Sequence, residues 1–261
     1  MASATPRVLP NVVRTDPMSE AEWALRVKLA ATYRIFEHLG WHMVVYNHIT
    51  VRLPGPEPRF LINPFGLRYD EVTASNLVVV DLEGNVVGAS SPINFAGFVI
   101  HSAVHAQVPQ AHWVMHTHTR EGIAIACKAN GLSNTNFYSA MIWGHVAYHD
   151  FEGVTVRTDE CERLVRSIGD KPLVILRNHG LLAHGRTAHE AFSRLWTLQL
   201  ACETQLLADS MPGPNIEVSE TATRNTVRDS GLFDSDDGDV GGELFAALER
   251  IVEAKDPSYK T

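Results

Sequence analysis

Three cysteines in 261 residues, Cys127, Cys161 and Cys202, are too few, too far apart and odd in number for a disulfide framework or a zinc knuckle. A reducing cytoplasm fits that usage. No stretch approaches the roughly 20 apolar residues that a spanning helix needs, and Met1 to Thr15 has no apolar signal core. Basic residues are in short supply: 22 Lys and Arg against 30 Asp and Glu leave a formal charge of -8, which disfavours nucleic acid or an anionic membrane as partner. There is no internal repeat. What is present is 45% hydrophobic residues, enough to bury the core of one main domain with tails.

Histidine is the residue whose placement says most. Met115-His116-Thr117-His118-Thr119 carries two imidazoles two residues apart, answered later by Asn178-His179-Gly180. Residues two apart on a strand share a face with Cα atoms about 7 Å apart, close enough for both rings to reach one ion at about 2 Å. The flanks predict strands: His112 to Met115 is a short apolar run, and Leu173-Val174-Ile175-Leu176 is a buried-type strand ahead of His179. Thr119 is placed to cap a helix that begins at Arg120, and Gly180 removes side-chain bulk beside the third imidazole. The trio reads as a metal site of neutral imidazoles. Such a set leaves the full charge on the ion and keeps coordination positions open for a bidentate 2-oxo or 2-hydroxy acid.

Around this centre the chain divides into a lead segment, 1–18, a single domain over 19–210, and an acidic linker with a short C-terminal helix over 211–261. Ser19-Glu20-Ala21-Glu22 is a capping box, Leu25, Leu29, Tyr33 and Phe36 share one helix face, and Gly40 ends that helix. Ile49 to Leu53, Phe60 to Ile62 and Leu77 to Val80 read as strands in antiparallel pairing. Helices are predicted over Asn94 to Gln107, Thr158 to Ile168, and from the second capping box at Thr187 to about Ala208, with a strand over Val146 to His149. Asp229, Asp234, Asp236, Asp237 and Asp239 mark the linker, and Leu244, Phe245, Leu248, Ile251 and Val252 an amphipathic helix that docks back or onto a neighbour.

With these elements in order, the chain resembles the class II aldolase and adducin family over roughly residues 20 to 210. The resemblance rests on Tyr46-Asn47-His48-Ile49-Thr50-Val51-Arg52, Leu61-Ile62-Asn63-Pro64-Phe65-Gly66-Leu67, His101, His116-x-His118 and Arg177-Asn178-His179-Gly180, with Asp70 to Ser75 closer to adducin heads. It implies an α/β class with a three-layer α/β/α fold on a central, mainly antiparallel sheet, and a homotetramer. It also implies one divalent metal per subunit on His116, His118 and His179, zinc or iron before cobalt or manganese. On the same ground Asn47, Phe65, Gly66, Phe95, Gly97, His101 and His105 are the expected substrate contacts.

The departures from the family pattern are as informative. Where the family's sugar-phosphate aldolases carry two phosphate-holding serines and an acid/base glutamate, this chain has Phe95, Ala96 and Gly97, none of which offers a side-chain donor or carries a proton. A phosphorylated sugar is therefore not the expected substrate, and Tyr46, Phe65, Phe95 and Trp143 suggest an apolar wall instead. Tyr138, in the segment from which family aldolases supply a tyrosine to the neighbouring subunit, and His145 are the expected acid/base groups. The chemistry that follows is retro-aldol cleavage or decarboxylation of a small non-phosphorylated carbonyl acid. Two other possibilities stay open. One is a non-haem Fe(II) oxygenase on an aromatic 2-oxo or 2-hydroxy acid, similar in kind to aldolase-fold oxygenases. The other is an adducin-like oligomeric module without turnover, for which actin or spectrin binding is poorly supported, since the tail is acidic rather than lysine-rich.

Overall fold

The computed structural model describes residues 18–88, 92–154, 158–233 and 239–261. Among the described residues eight strands, β1 (His48–Arg52), β2 (Arg59–Ile62), β3 (Val78–Asp81), β4 (Val86–Val87), β5 (Trp113–Thr117), β6 (Val146–His149), β7 (Leu173–Leu176) and β8 (Gly180–Gly185), form one sheet. Its order is β4-β3-β2-β1-β5-β8-β7-β6. Every neighbouring pair is antiparallel except β6 with β7, which is parallel. The helices are α1 (Glu20–Leu39), α2 (Phe95–Gln107), α3 (Arg120–Ala126), α4 (Phe137–Met141), α5 (Cys161–Ile168), α6 (Ala188–Ser210), α7 (Glu220–Ser230) and α8 (Gly242–Lys255).

Strand alternation builds the layers. Ile49, Val51, Trp113, Met115, Leu173 and Ile175 point to one side, where they meet Leu29, Tyr33 and Phe36 of α1 and Phe192, Leu195 and Leu198 of α6. Val114, Val174 and Leu182 point to the other, against Ile100 and Val104 of α2 and Leu164 and Ile168 of α5. The result is the three-layer α/β/α arrangement with a mainly antiparallel sheet. On β1 this alternation sends His48 and Thr50 to the α2 side, opposite Ile49 and Val51.

The caps read from the sequence are present. Ser19 accepts from the Glu22 amide, Thr119 from Gly122 and Thr187 from Glu190, and Gly40 ends α1 in the left-handed region at φ 72°. No described helix is long and apolar enough to cross a membrane.

Two features differ from the sequence expectation. The strand β8 is buried along its whole length and so shows no alternation to read. The stretch expected as linker contains α7, which is polar on nearly every side; Asn134 donates to Thr223 Oγ1 at 2.7 Å and holds this helix to the domain. Asp229 lies in α7, whereas Asp234, Asp236 and Asp237 fall outside the described residues, as does the lead segment through residue 17. The C-terminal helix docks back on its own chain: Phe245, Leu248 and Val252 enter the α1/α6 core, with Phe245 5.5 Å from the ring of Phe192.

Candidate metal centre

β5 delivers His116 from its penultimate position and His118 from just beyond its end, while His179 comes from the connection between β7 and β8. In that hairpin Leu176 pairs with Gly180, leaving Arg177-Asn178-His179 as a three-residue loop with Asn178 at φ 57°, a left-handed conformation that asparagine tolerates better than most residues. Gly180 is needed because a Cβ there would lie 2.3 Å from the Thr117 carbonyl oxygen and 3.1 Å from His118 Cδ2. The glycine therefore makes room first for strand β5 and only second for the imidazole.

The three rings converge. Centroids are 4.5 Å apart for His116 and His118, 4.8 Å for His116 and His179, and 4.7 Å for His118 and His179. One nitrogen from each lies within 4.8 Å of the others. Hydrogen bonds bear on two of the tautomers. His116 Nδ1 is 2.8 Å from the Leu181 carbonyl, which can only accept, and His118 Nδ1 is 3.3 Å from the Met43 thioether sulfur, also an acceptor. His116 therefore carries its proton on Nδ1 and turns a bare Nε2 inward, and the Met43 sulfur offers His118 Nδ1 a weak acceptor for the same arrangement. Those two Nε2 atoms are 2.7 Å apart, close enough to share one proton or to ligate one cation. The donor set thus fits a divalent ion.

The electrostatics agree. Burial, with His118, His179, His48 and His101 as further causes, holds His116 well below the ordinary histidine range. Burial and His179 push His118 down to about 4, and burial followed by His149 lowers His179. Neutral imidazoles are the form that binds metal, so near pH 7 no proton must be expelled first. The loop touching His118 is strained: Val44 has φ 56° and Asn47 φ 67°. A β-branched residue there costs on the order of 1–3 kcal/mol, a strain that tends to gather at functional sites.

Aromatic side chains stand exposed around this loop and the start of α2. Tyr46 packs on Phe65 at 6.2 Å, and Phe95, the first residue of α2, is half exposed. Phe151 approaches His179 at 6.3 Å beside a narrow crevice lined in part by Arg177 and Glu160. Gly66 turns the chain at φ 94° beside Phe65. Asn47 is buried, and both its amide atoms lack a protein partner.

Other expected site residues sit elsewhere. Gly97 does not face an open side of the centre: a Cβ on it would be 2.5 Å from His48 Cε1 and Nδ1 and 2.6 Å from Nε2, because the His48 ring fills that space. His105 lies on α2, away from the three ligands. It is buried and bonded through both nitrogens, Nε2 to Thr50 Oγ1 at 2.7 Å and Nδ1 to the Ala111 carbonyl at 2.9 Å. His101 is likewise buried, with Nδ1 2.6 Å from the same Thr50 hydroxyl. His145 precedes the Val146 end of β6, opposite the end near His179, and stacks on Phe233 at 3.6 Å; Trp143 is in the same connection. Tyr138 is on α4, which packs on α6 and α7, so within one chain it does not join the centre.

Sequence reasoning missed His48. It is the direct cross-strand partner of His116, 96% buried, with ring centroids 5.5 Å from His116 and 4.4 Å from His101. Neither of its nitrogens has a protein partner, and burial, then His118 and His179, push it down to about 3. The available signal was its period-2 spacing with Thr50 on a strand whose partner was not known.

A three-layer fold with a convergent histidine trio at the end of a central strand defines a class II aldolase-type domain. The chain belongs to the family described as Class II Aldolase and Adducin N-terminal domain, which matches residues 27–206. It is 41% identical over 255 residues to a Caulobacter vibrioides protein named by aldolase class 2, covering 96% of this chain and 97% of that one. It is 37% identical over 247 residues to alpha-adducin of Rattus norvegicus, covering 90% of this chain and 34% of the adducin. Among solved structures, L-fuculose 1-phosphate aldolase from Glaciozyma antarctica superposes with a TM-score of 0.80 at 29% identity, covering 95% and 97% of the two chains.

Proposed function

We propose that this protein is a metal-dependent carbon–carbon bond-cleaving enzyme, an aldol-type lyase or decarboxylase, acting on a small non-phosphorylated 2-oxo or 2-hydroxy acid. The observation that carries this is the convergence of one nitrogen from each of His116, His118 and His179 within 4.8 Å, with the two Nε2 atoms of His116 and His118 2.7 Å apart. A divalent ion bound there supplies Lewis-acid polarisation of a carbonyl. The chain's own residues do the rest. Leu181 and Met43 orient the two imidazoles, Gly180 lets β8 close on β5, and the exposed rings of Tyr46, Phe65 and Phe95 offer apolar surface to a substrate body.

A non-phosphorylated substrate is favoured because Phe95 presents a ring, with no donor for phosphate, and Gly97 is filled over by His48. The likeness to a fuculose-phosphate aldolase makes sugar phosphate the alternative to exclude. Tyr138 remains a proposed proton donor only toward a neighbouring copy, in keeping with a homotetramer. The likeness to alpha-adducin supports a second reading, an oligomeric binding module without turnover. Against it stands the cost of keeping three imidazoles desolvated.

The test is anaerobic purification, elemental analysis, and assay of metal-loaded protein with a panel of 2-oxo and 2-hydroxy acids, alongside dihydroxyacetone phosphate and fuculose 1-phosphate. Stoichiometric zinc or iron with cleavage of a carbonyl acid and no saturable cleavage of either phosphate is the expected result. Oxygen uptake coupled to acid turnover would instead establish the Fe(II) oxygenase alternative, and tight metal binding with no turnover of any acid would favour the module.

A further inference from the structure

Beside the centre, the short helix α3 meets the setting of every ligand. It starts from its N-cap Thr119, directly after His118, and Thr119 is held from two sides: its hydroxyl accepts from the Gly122 amide at 3.3 Å and donates to Gln199 Oε1 of α6 at 2.6 Å. Gly122 packs on Leu181, where a Cβ would lie 2.8 Å from Cγ, and the Leu181 carbonyl is the group that takes Nδ1 of His116. At the other end of α3 the Ala126 carbonyl, one of the four that a helix leaves without an internal partner, accepts from the Asn178 amide at 3.1 Å. The next residue is His179.

Arg177 completes this end. An arginine two residues from a ligand is read first as an anchor for a substrate carboxylate. Its contacts point elsewhere. Nη1 lies 3.3 Å from the carbonyls of both Lys128 and Ala129, just past α3, and the guanidinium carbon stands 4.6 Å from the centroid of the Tyr148 ring. The backbone amide of Arg177 donates to the His149 carbonyl at 2.8 Å, and the Tyr148 hydroxyl accepts from the Leu132 amide at 3.0 Å, so the guanidinium sits between β6 and the turn that follows α3. Asp150, 3.5 Å from Nε, is exposed to solvent and adds little beside these contacts.

We propose that Arg177 is a positioning residue for the metal centre: it clamps the loop that carries His179 to the far end of the helix that begins after His118, so that α3, and not the ion, sets the separation of these two ligands. The inference rests on the metal-centre reading above and adds to it a trio that is formed before metal arrives. Of the two ties between the loop and α3, the Asn178–Ala126 bond is backbone to backbone, and the Arg177 tie is the one a side-chain change removes.

Zinc affinity, measured on the full-length protein by competition with a chromophoric chelator, is compared with the melting temperature of the metal-free protein. Arg177→Met should weaken zinc binding by roughly 10–100-fold, the range for loss of a group that orients a ligand. Phe245→Ala, which destabilises the fold at a distance from the centre, should leave the zinc affinity unchanged. Arg177→Lys keeps the charge but not the planar group that spans two carbonyls against a ring, and should fall between wild type and Arg177→Met; it decides the matter if Arg177→Met does not fold. In 15N-histidine spectra of the metal-free protein, His179 should give one sharp set of ring resonances in the wild type and a broadened or doubled set in the Arg177 variants, with His105 unmoved. Wild-type zinc affinity in the folded Arg177 variants overturns the proposal and leaves the metal centre standing. An equal loss of affinity in Phe245→Ala also overturns it, since general destabilisation would then account for both. Failure of the wild type to bind zinc or ferrous iron overturns the metal-centre reading, and this inference with it.

Discussion

At the residue scale, the site depends on tautomers set by neighbours rather than on the ligand side chains alone. His116 aims Nε2 inward because the Leu181 carbonyl takes its Nδ1 proton, and the Met43 sulfur offers His118 Nδ1 a weak acceptor for the same arrangement. Removing any one of the three imidazoles lowers the coordination number that fixes the ion. Single His116→Ala, His118→Ala and His179→Ala variants are therefore expected to lose stoichiometric metal by elemental analysis while keeping the circular dichroism of the folded sheet. Full occupancy in any of them would remove that histidine from the site. The ligands were legible because a two-residue spacing and an apolar run need only local information. His48 was not, because its importance comes from lying opposite His116 and beneath Gly97, and neither neighbour is near it in sequence.

At the element scale, the β7–β8 hairpin couples the sheet to the centre. A methyl group at Gly180 would meet the Thr117 backbone carbonyl at 2.3 Å, and backbone in mid-sheet cannot give way as a side chain can. Gly180→Ala should both lower the melting temperature, by a cost of about 1–3 kcal/mol, and weaken metal binding by moving His179 away from His116 and His118. Unchanged metal affinity would mean that the loop holds His179 independently of strand pairing. On the far side of the molecule, α8 closes the α1/α6 core through Phe245, which is 2% exposed. Phe245→Ala is expected to cost about 3–5 kcal/mol in denaturant unfolding with no change in metal content. A loss under 1 kcal/mol would show that α8 adds little to the domain.

At the scale of the whole molecule, many buried neutral histidines make stability depend on pH. Burial pushes His105 down to about 3 and His184 down to about 4. Both lie away from the trio. In the unfolded chain these rings titrate near 6.5, so between that pH and their folded values the unfolded state binds more protons. Their contribution is fully present above about pH 6.5 and is lost progressively as pH falls toward 4 and 3. The melting temperature of metal-free protein should be level above pH 7 and fall steadily below about pH 6. A level profile down to pH 4 would mean that these rings are already charged in the fold.

Local pattern was enough for the framework: the capped starts of α1, α3 and α6, the span of β6 and β7, and the His116-x-His118 pair. Each depends on residues within a few positions of one another, where helix and strand periods and capping chemistry act. The tertiary structure alone decided what depended on contacts between distant segments. It paired β1 with β5 and so put His48 beside His116, and it gave the Gly97 space to an imidazole. It bonded His105 through both ring nitrogens and carried His145 to the opposite end of β6. Sheet order and register are set by packing over the whole chain, and no short window of sequence contains that information.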